Sequence, residues 1–485
     1  MKFRILAVVA LFCCMTLLRA HTVNHTSKTF MFPRPLYHTI APIAGMWDEI
    51  VAHKKYKPCR AAIQVVGLYQ RSIDDFECTR GYFSIDCKSK LLVTGDMAPN
   101  VIDRDIRAEW LGITDPTFSG VLTLQPTQRQ AGVIVSFNQD IGRWLQCSLL
   151  EDWWIDLTLP IFQVKNRLNT TGSSPTVVQS FTATSSSLGN KLAFARITNC
   201  VQEKSGIGVI ELRLGGTFLD HDGFFLDYYA GVGLPAEARP SPTYLFPATL
   251  GNHTQLVVIA GGHFKMPLID FTETCNLRAI LAIENRYYVH NHQLRTFDLV
   301  DKPWSRYLPV RREGETATIP AANILTRCVR VDAGSFVNFA TGLEFSGPRF
   351  AFEVAYQLWG HSDEHIGHPA TVSRRPYECC EPRDPLFTKY GIAGTAPGSS
   401  ASESTIAKLA ADDATFVHIR EMDINYCSGE AGGSDVQGIH LGFYYRELCR
   451  CERSLFMGIG GFVEWPNNNA ALNNWGVWGK IGTDF

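Results

Sequence analysis

The chain has almost no surplus of either charge: 45 Lys and Arg against 47 Asp and Glu leave a formal net charge of −2 over 485 residues. Proteins that bind nucleic acid gather a basic surplus on one face, so no nucleic-acid partner is expected. Charge of any sign is sparse, at 19% of residues, while apolar residues make up 45%. Long hydrophobic runs are scarce as well. After Ala20 no run reaches the roughly 18 apolar residues that a membrane helix needs, which excludes integration by helices. Paired zinc knuckles are also missing. Cys449-Arg-Cys451 and Cys379-Cys380 lack the required spacing, so no metal and no cofactor are expected. No repeat of about 20–50 residues stands out.

The one apolar run lies at the start. Lys2 and Arg4 precede an uncharged stretch from Ile5 to Leu18, and Ala20 is a plausible cleavage position. Residues 1–20 therefore read as a secretory signal peptide. An exported protein without a membrane helix is periplasmic, secreted, or a barrel. Export permits disulfides. Of 14 cysteines, local pairs such as Cys78 with Cys87, or pairs within Cys449/Cys451 and the loop cysteines, are the expected ones. Spacing does not set the connectivity.

What the sequence has in quantity is alternation of period two, the signature of a strand that sends successive side chains to opposite faces. Over residues 348–360, Phe350, Phe352, Val354, Tyr356 and Leu358 share one face, and Arg349, Ala351, Glu353, Ala355 and Gln357 the other. The preceding segment repeats the pattern, with Val337, Phe339, Thr341, Leu343 and Phe345 against Asn338, Ala340, Gly342 and Glu344. Ser346-Gly347-Pro348 makes a tight turn between them, as Asp220–Gly223 does between two earlier runs. Many runs have the roughly 9–11 residues of a transmembrane strand. Their apolar faces carry no Lys, Arg, Asp or Glu over several strands in a row. Aromatic residues gather at strand ends, at Trp153, Trp154, Tyr287, Tyr288, Trp359, Trp465 and Trp475, as interfacial girdles do. A secreted β-sandwich remains the alternative.

The last eleven residues, Trp475-Gly-Val-Trp-Gly-Lys-Ile-Gly-Thr-Asp-Phe485, resemble the closing strand of Gram-negative outer-membrane β-barrel proteins, which alternates apolar residues and ends in Phe. Thr483 departs from the apolar residue usual two places before the end. The resemblance implies a porin-like, antiparallel up-and-down barrel in the bacterial outer membrane, surrounded by lipid and lipopolysaccharide. It implies that Trp475, Val477, Ile481 and Phe485 are read by the barrel-assembly machinery.

Short periplasmic turns and long outer loops give twelve strands, near 60–70, 130–138, 153–164, 206–219, 223–235, 254–265, 276–288, 334–346, 348–360, 436–448, 453–465 and 472–485, with fourteen as the alternative. Phe416–Ile424 is excluded because Arg420 and Glu421 fall on opposite faces. Residues 21–58 form a periplasmic arm or a plug, and residues 59–485 the barrel. Segments 166–205, 236–253, 289–330 and 361–435 are outer loops, and 71–129 is a long segment of unassigned side.

The residues expected to line the lumen are Glu211, Arg213, Asp227, Arg278, Glu284, Arg286, Glu344, Arg349, Glu353, Arg446, Glu464 and Lys480. Their signs balance, so they suit either an aqueous pore or pairing across a closed lumen. His361-Ser-Asp-Glu-His365-Ile-Gly-His368 reads as a polar loop rather than a metal site, and His440 faces the lumen without an identifiable catalytic partner. No enzymatic activity is expected. The leading functional expectation is passive movement of small polar solutes. The alternative is a surface-exposed structural or adhesion barrel with a blocked lumen.

Overall fold

The computed structural model describes residues 27–39, 61–73, 77–86, 88–100, 104–145, 152–181, 192–221, 223–272, 274–315, 317–367, 389–392, 416–448 and 454–485. The expected signal peptide lies outside them. Twelve long strands dominate: β1 (Ala61–Ser72), β2 (Ser119–Asp140), β3 (Trp153–Gly172), β4 (Val209–His221), β5 (Phe224–Pro235), β6 (Val257–Thr272), β7 (Cys275–Tyr288), β8 (Ser335–Ser346), β9 (Phe350–His361), β10 (Ser434–Leu448), β11 (Ser454–Pro466) and β12 (Asn474–Asp484). Each pairs antiparallel with its neighbours in sequence, and β12 returns to β1 from Ala62↔Asp484 to Ser72↔Asn474. The sheet closes on itself with no free edge, which lipid requires because it cannot satisfy an unpaired backbone. Twelve, not fourteen, strands make the ring. Phe416–Ile424 contributes the two-residue strand Val417–His418, a short 3-10 turn and the first residue of the two-residue strand Ile424–Asn425, none of them a span.

Alternation sets which face is wet. On β9, Phe350, Phe352 and Val354 are exposed at 51%, 46% and 40%, while Ala351, Glu353 and Ala355 between them are buried. On β10, Ile439, Leu441 and Phe443 are exposed, and His440 and Tyr444 are buried. This is the reverse of a soluble sandwich, whose apolar set would face the core. The apolar band around a closed cylinder is the lipid-facing surface of an outer-membrane β-barrel. The alternation also corrects the expected girdle. Trp154, Tyr288 and Trp359 are buried on the inner face, whereas Tyr287 and Trp475 are exposed on the outer one.

The two rims differ. One carries short connections, such as His221 to Phe224, Thr272 to Cys275 and Ser346 to Phe350, and receives the start of β1 and the end of β12. This is the periplasmic rim. The other carries the long loops, and the unassigned segment between β1 and β2 belongs there. Two strands outgrow the membrane: β2 runs for 22 residues and β3 for 20. Their outer parts extend the wall and pair with Leu91–Thr94, within a segment expected to be loop, and with Gln202–Ile207, which straddles the expected loop 166–205 and the expected strand 206–219.

The long loops pack into a second core. Phe83, Ile106, Trp110, Leu122, Phe246, Trp304, Tyr307, Leu325 and Val329 belong to one buried cluster drawn from almost every outer connection. Short strands brace it, among them Asn291–Thr296 paired with Thr326–Asp332. Among the described cysteines, Cys200, Cys275 and Cys427 are free thiols and Cys328, in this cap, is disulfide-bonded. The side chains of Cys78, Cys87, Cys449 and Cys451 lie outside the described residues.

Candidate functional site

Inside the barrel the inward side chains are buried, and the charged ones pair. Beneath the outer mouth Glu211, Arg286, Glu284 and Arg213 close a ring of alternating sign. Arg286 Nη1 lies 2.6 Å from Glu211 and its Nε 2.7 Å from Glu284, while Arg213 Nη2 lies 2.5 Å from Glu211 and 3.2 Å from Glu284. Tyr229 donates its hydroxyl to Glu284 at 2.9 Å. The four charges come from β4 and β7, with β5 and β6 between them. The wall beneath is glycine where they meet: at Gly261 a Cβ would stand 2.5 Å from the Tyr229 hydroxyl. Burying four ions is costly unless every one is paired. The ring meets that condition with zero net charge.

The N-terminal segment occupies the mouth above this ring. Every described residue from Ser27 to Thr39 is buried. Arg34 pairs with Glu464 of β11 at 2.5 Å and lies 4.8 Å from the centre of the Trp359 ring. The backbone is held as well: Gln130 of β2 accepts from the amide of Leu36 at 2.9 Å and donates to the carbonyl of Arg34 at 2.8 Å. Phe32 packs between His253, Tyr288 and His361, and His38 meets Phe336. The segment expected as a periplasmic arm or a plug therefore has residues 27–39 in the outer half of the lumen.

Its first residues are woven into the cap. Asp298 accepts from Arg306 Nη2 at 2.6 Å and from Ser27 Oγ, and Arg306 also donates to the carbonyl of Lys28 at 3.1 Å. The Thr29 amide donates to Ser428 at 2.8 Å and its hydroxyl to Thr296 at 2.6 Å. Arg295 pairs with Glu364 at 3.1 Å and covers the Phe30 ring, 3.4 Å from its centre. His253 is enclosed by these groups. Burial, and then the charges of Arg295, Lys204 and His361, holds its imidazole well below its ordinary range. Both His253 and Thr254 have positive φ, 55° and 65°, a strain of about 1–3 kcal/mol each that only surrounding packing sustains.

Towards the periplasm lies a second set. Glu344 takes Lys265 at 3.2 Å and Arg278 at 3.4 Å. Asp227 meets His263 at 2.9 Å. His440 stands 3.5 Å from Glu353 and stacks on Trp478, while Tyr444 donates to Glu353 at 3.1 Å. Lys480 lies over the Tyr444 ring, and Arg446 reaches Ser454 at 3.5 Å near the rim. The Trp478 ring lies against the wall because Gly460 has no Cβ, which would sit 2.4 Å from it. Arg349 is corrected: strand β9 begins only at Phe350, so Arg349 is exposed in the rim turn and does not line the lumen.

The two described histidines of the histidine-rich stretch do not converge. His361 is buried in an aromatic stack with Trp359 and Phe336, and His365 points to solvent near Glu430. His368 lies outside the described residues. On β12, Trp475, Val477 and Ile481 face outward, as does Phe485 just past its end, at 37% to 50% exposure, and Thr483 shares their face partly buried. Sequence reasoning found the lumen charges from register but missed Phe30, Phe32 and His38 as their lid. The segment around Phe32-Pro33-Arg34-Pro35 is too short and irregular to carry a period.

No family model and no curated protein sequence matches the chain. Among solved structures, the TodX deltaS2S3 mutant monoaromatic hydrocarbon channel is similar at 8% identity, over 96% of this chain and 97% of that one, with a TM-score of 0.35. The transport unit of the autotransporter AIDA-I from Escherichia coli is similar at 7% identity over 92% and 98%, with a TM-score of 0.33. A Pseudomonas aeruginosa FadL homologue gives 8% over 96% and 99%, with a TM-score of 0.27. At these values none of the three lends its substrate to this chain.

Proposed function

We propose that the protein is a surface-exposed outer-membrane barrel whose lumen is closed at rest and whose work is done by the folded cap on its outer rim. The observation that carries this reading is the burial of Ser27–Thr39 across the outer mouth, fastened both to the wall through Arg34–Glu464 and to the cap through Asp298 and Arg306. A porin needs a continuous wet path, whereas Glu211, Arg213, Glu284 and Arg286 pair with one another beneath the plug. Reconstitution of the full-length protein into planar bilayers tests the reading. Silence at moderate voltage is the expected result. Stable stepwise conductance from the wild-type protein would overturn it.

A second reading, a gated channel for small polar solutes, is favoured by the polar lining that continues below the plug, at Lys265, Glu344, Glu353 and Asp227. Arg34→Met distinguishes the two. It leaves Glu464 buried without its cation, a loss of about 3–5 kcal/mol, and loosens the segment. Conductance steps that appear only in this variant would favour the gated channel.

A further inference from the structure

Cations occupy consecutive cross-strand positions on the outward face of β1–β3. Arg71 stands opposite Arg129, Arg129 stands opposite Lys165, and one row further out Thr127 stands opposite Arg167. Arg129 and Arg167 are exposed and Arg71 and Lys165 partly so, whereas the intervening Gln70, Gln128, Gln130 and Asn166 are buried inward. The height is fixed by the rows below. Tyr69, Ala131 and Gln163 come next, then Gly67, Val133 and Ile161, then Val65, Val135 and Leu159. Arg71 also pairs with Trp475, whose ring lies 5.7 Å from that of Tyr69. The stripe thus sits where the lipid-facing band meets the outer headgroups, since Tyr and Trp mark that boundary.

Like charges directly opposite one another destabilise a sheet. On this stripe Glu203 lies 3.2 Å from Lys165, and Arg167 donates to the carbonyl of Asn199 at 3.0 Å. On the far side of the barrel the outward residues at the outer ends of β8–β11 are Val337, Leu358, Gln437 and Trp465, with no cation among them. A one-sided row of guanidinium and ammonium groups above an apolar wall fits an anion that carries several charges and is attached to acyl chains. Guanidinium forks match phosphate geometry, and basic clusters beside a membrane surface recognise anionic headgroups.

We propose that Arg71, Arg129, Lys165 and Arg167 bind the phosphate groups of an outer-leaflet glycolipid, with its acyl chains lying along β1–β3. This rests on the barrel and its orientation, not on the closed lumen. The test uses full-length protein in mild detergent with an acylated disaccharide carrying two phosphates, its dephosphorylated form, or inorganic phosphate, followed by native mass spectrometry. The wild type should retain the phosphorylated lipid about tenfold more tightly than the dephosphorylated form, or about 1.4 kcal/mol. Arg129→Gln with Lys165→Gln and Arg167→Gln should abolish that preference, and Glu203→Gln should strengthen it. Arg420→Gln, an exposed cap cation paired with Asp423, should leave it unchanged. Heat-modifiable migration checks folding, and the single exposed change Arg129→Gln serves if the triple variant fails to assemble. Equal retention by the neutralised and wild-type proteins would overturn the proposal, as would inorganic phosphate displacing the lipid at equal concentration.

Discussion

The barrel wall and the outer cap of this chain solve opposite solvent problems. In the wall Val354, Ile439 and Val477 face outward and Glu284, Glu353 and Glu464 face inward. In the cap Trp304, Tyr307 and Val329 face inward, as in any water-soluble domain. The wall is held by continuous backbone ladders that tolerate charges inside only as pairs. The cap is held by side-chain burial, with ladders of a few residues, and its buried ions, Arg306 with Asp298 and Arg295 with Glu364, tie it to the N-terminal segment. A single chain therefore has two independent kinds of weak point.

The largest effect expected is on the wall. Deleting residues 475–485 removes the strand that pairs with both β1 and β11, so no closed barrel should form. Heat-modifiable migration and protease resistance in membrane fractions measure this, and normal assembly would contradict the seam. Trp304→Ala should act on the cap alone. It empties a fully buried site at about 3–5 kcal/mol, so loop proteolysis should rise sharply while the barrel still shifts on heating.

Val354→Arg places a cation on the lipid-facing side, at about 2–4 kcal/mol near mid-membrane, and should reduce insertion. The adjacent control is Glu353→Gln, which keeps the shape of the hydrogen-bonding group beside Tyr444 and His440. A charge reversal at Glu353, attractive from alternation alone, would break that buried set and is not a neutral control. Insertion yields that do not separate Val354→Arg from Glu353→Gln would refute the assignment of faces.

The cap should also be the acid-sensitive region. His253 is held below its ordinary range when folded, so the opened cap binds the proton more readily. Stability is then lost as pH falls through the unfolded value of about 6.5. Hydrogen exchange at pH 7.5 and 5.5 should show faster opening near residues 250–256 at the lower pH, and His253→Gln should flatten the difference. The smallest effect is at the end of the chain. Phe485→Ser should lower assembly yield while leaving the assembled fraction heat-resistant, because its side chain is exposed on the rim and its backbone pairs with Ala61 unchanged.

The wall could be read from the sequence because period two is a local signal that the fold uses directly. All twelve strands, their faces, and the Arg213, Glu284, Arg286, Glu353 and Glu464 positions follow from alternation. Arg349 failed because alternation can be carried back into the turn, before strand β9 has begun. The cap could not be read in the same way. Leu91–Thr94 pairs with Ser119–Leu122, and Asp298–Leu299 with Ile424–Asn425, so its strands are too short for a period and their partners lie far away in sequence. The plug has no period at all. Its evidence lies in single contacts such as Gln130 with Leu36, which no local pattern announces.

The position of the N-terminal segment also constrains the order of events during assembly. Ser27 is fastened in the outer cap, whereas Ala61 begins the first strand at the opposite rim, and the seam between the first and last strands is the one that completes the cylinder. Residues 30–39 reach the outer half of the lumen either before that seam zips or by threading into an already hydrogen-bonded ring. The pairing of Ala62 with Asp484 through Ser72 with Asn474 therefore both closes the wall and completes the ring around residues 30–39.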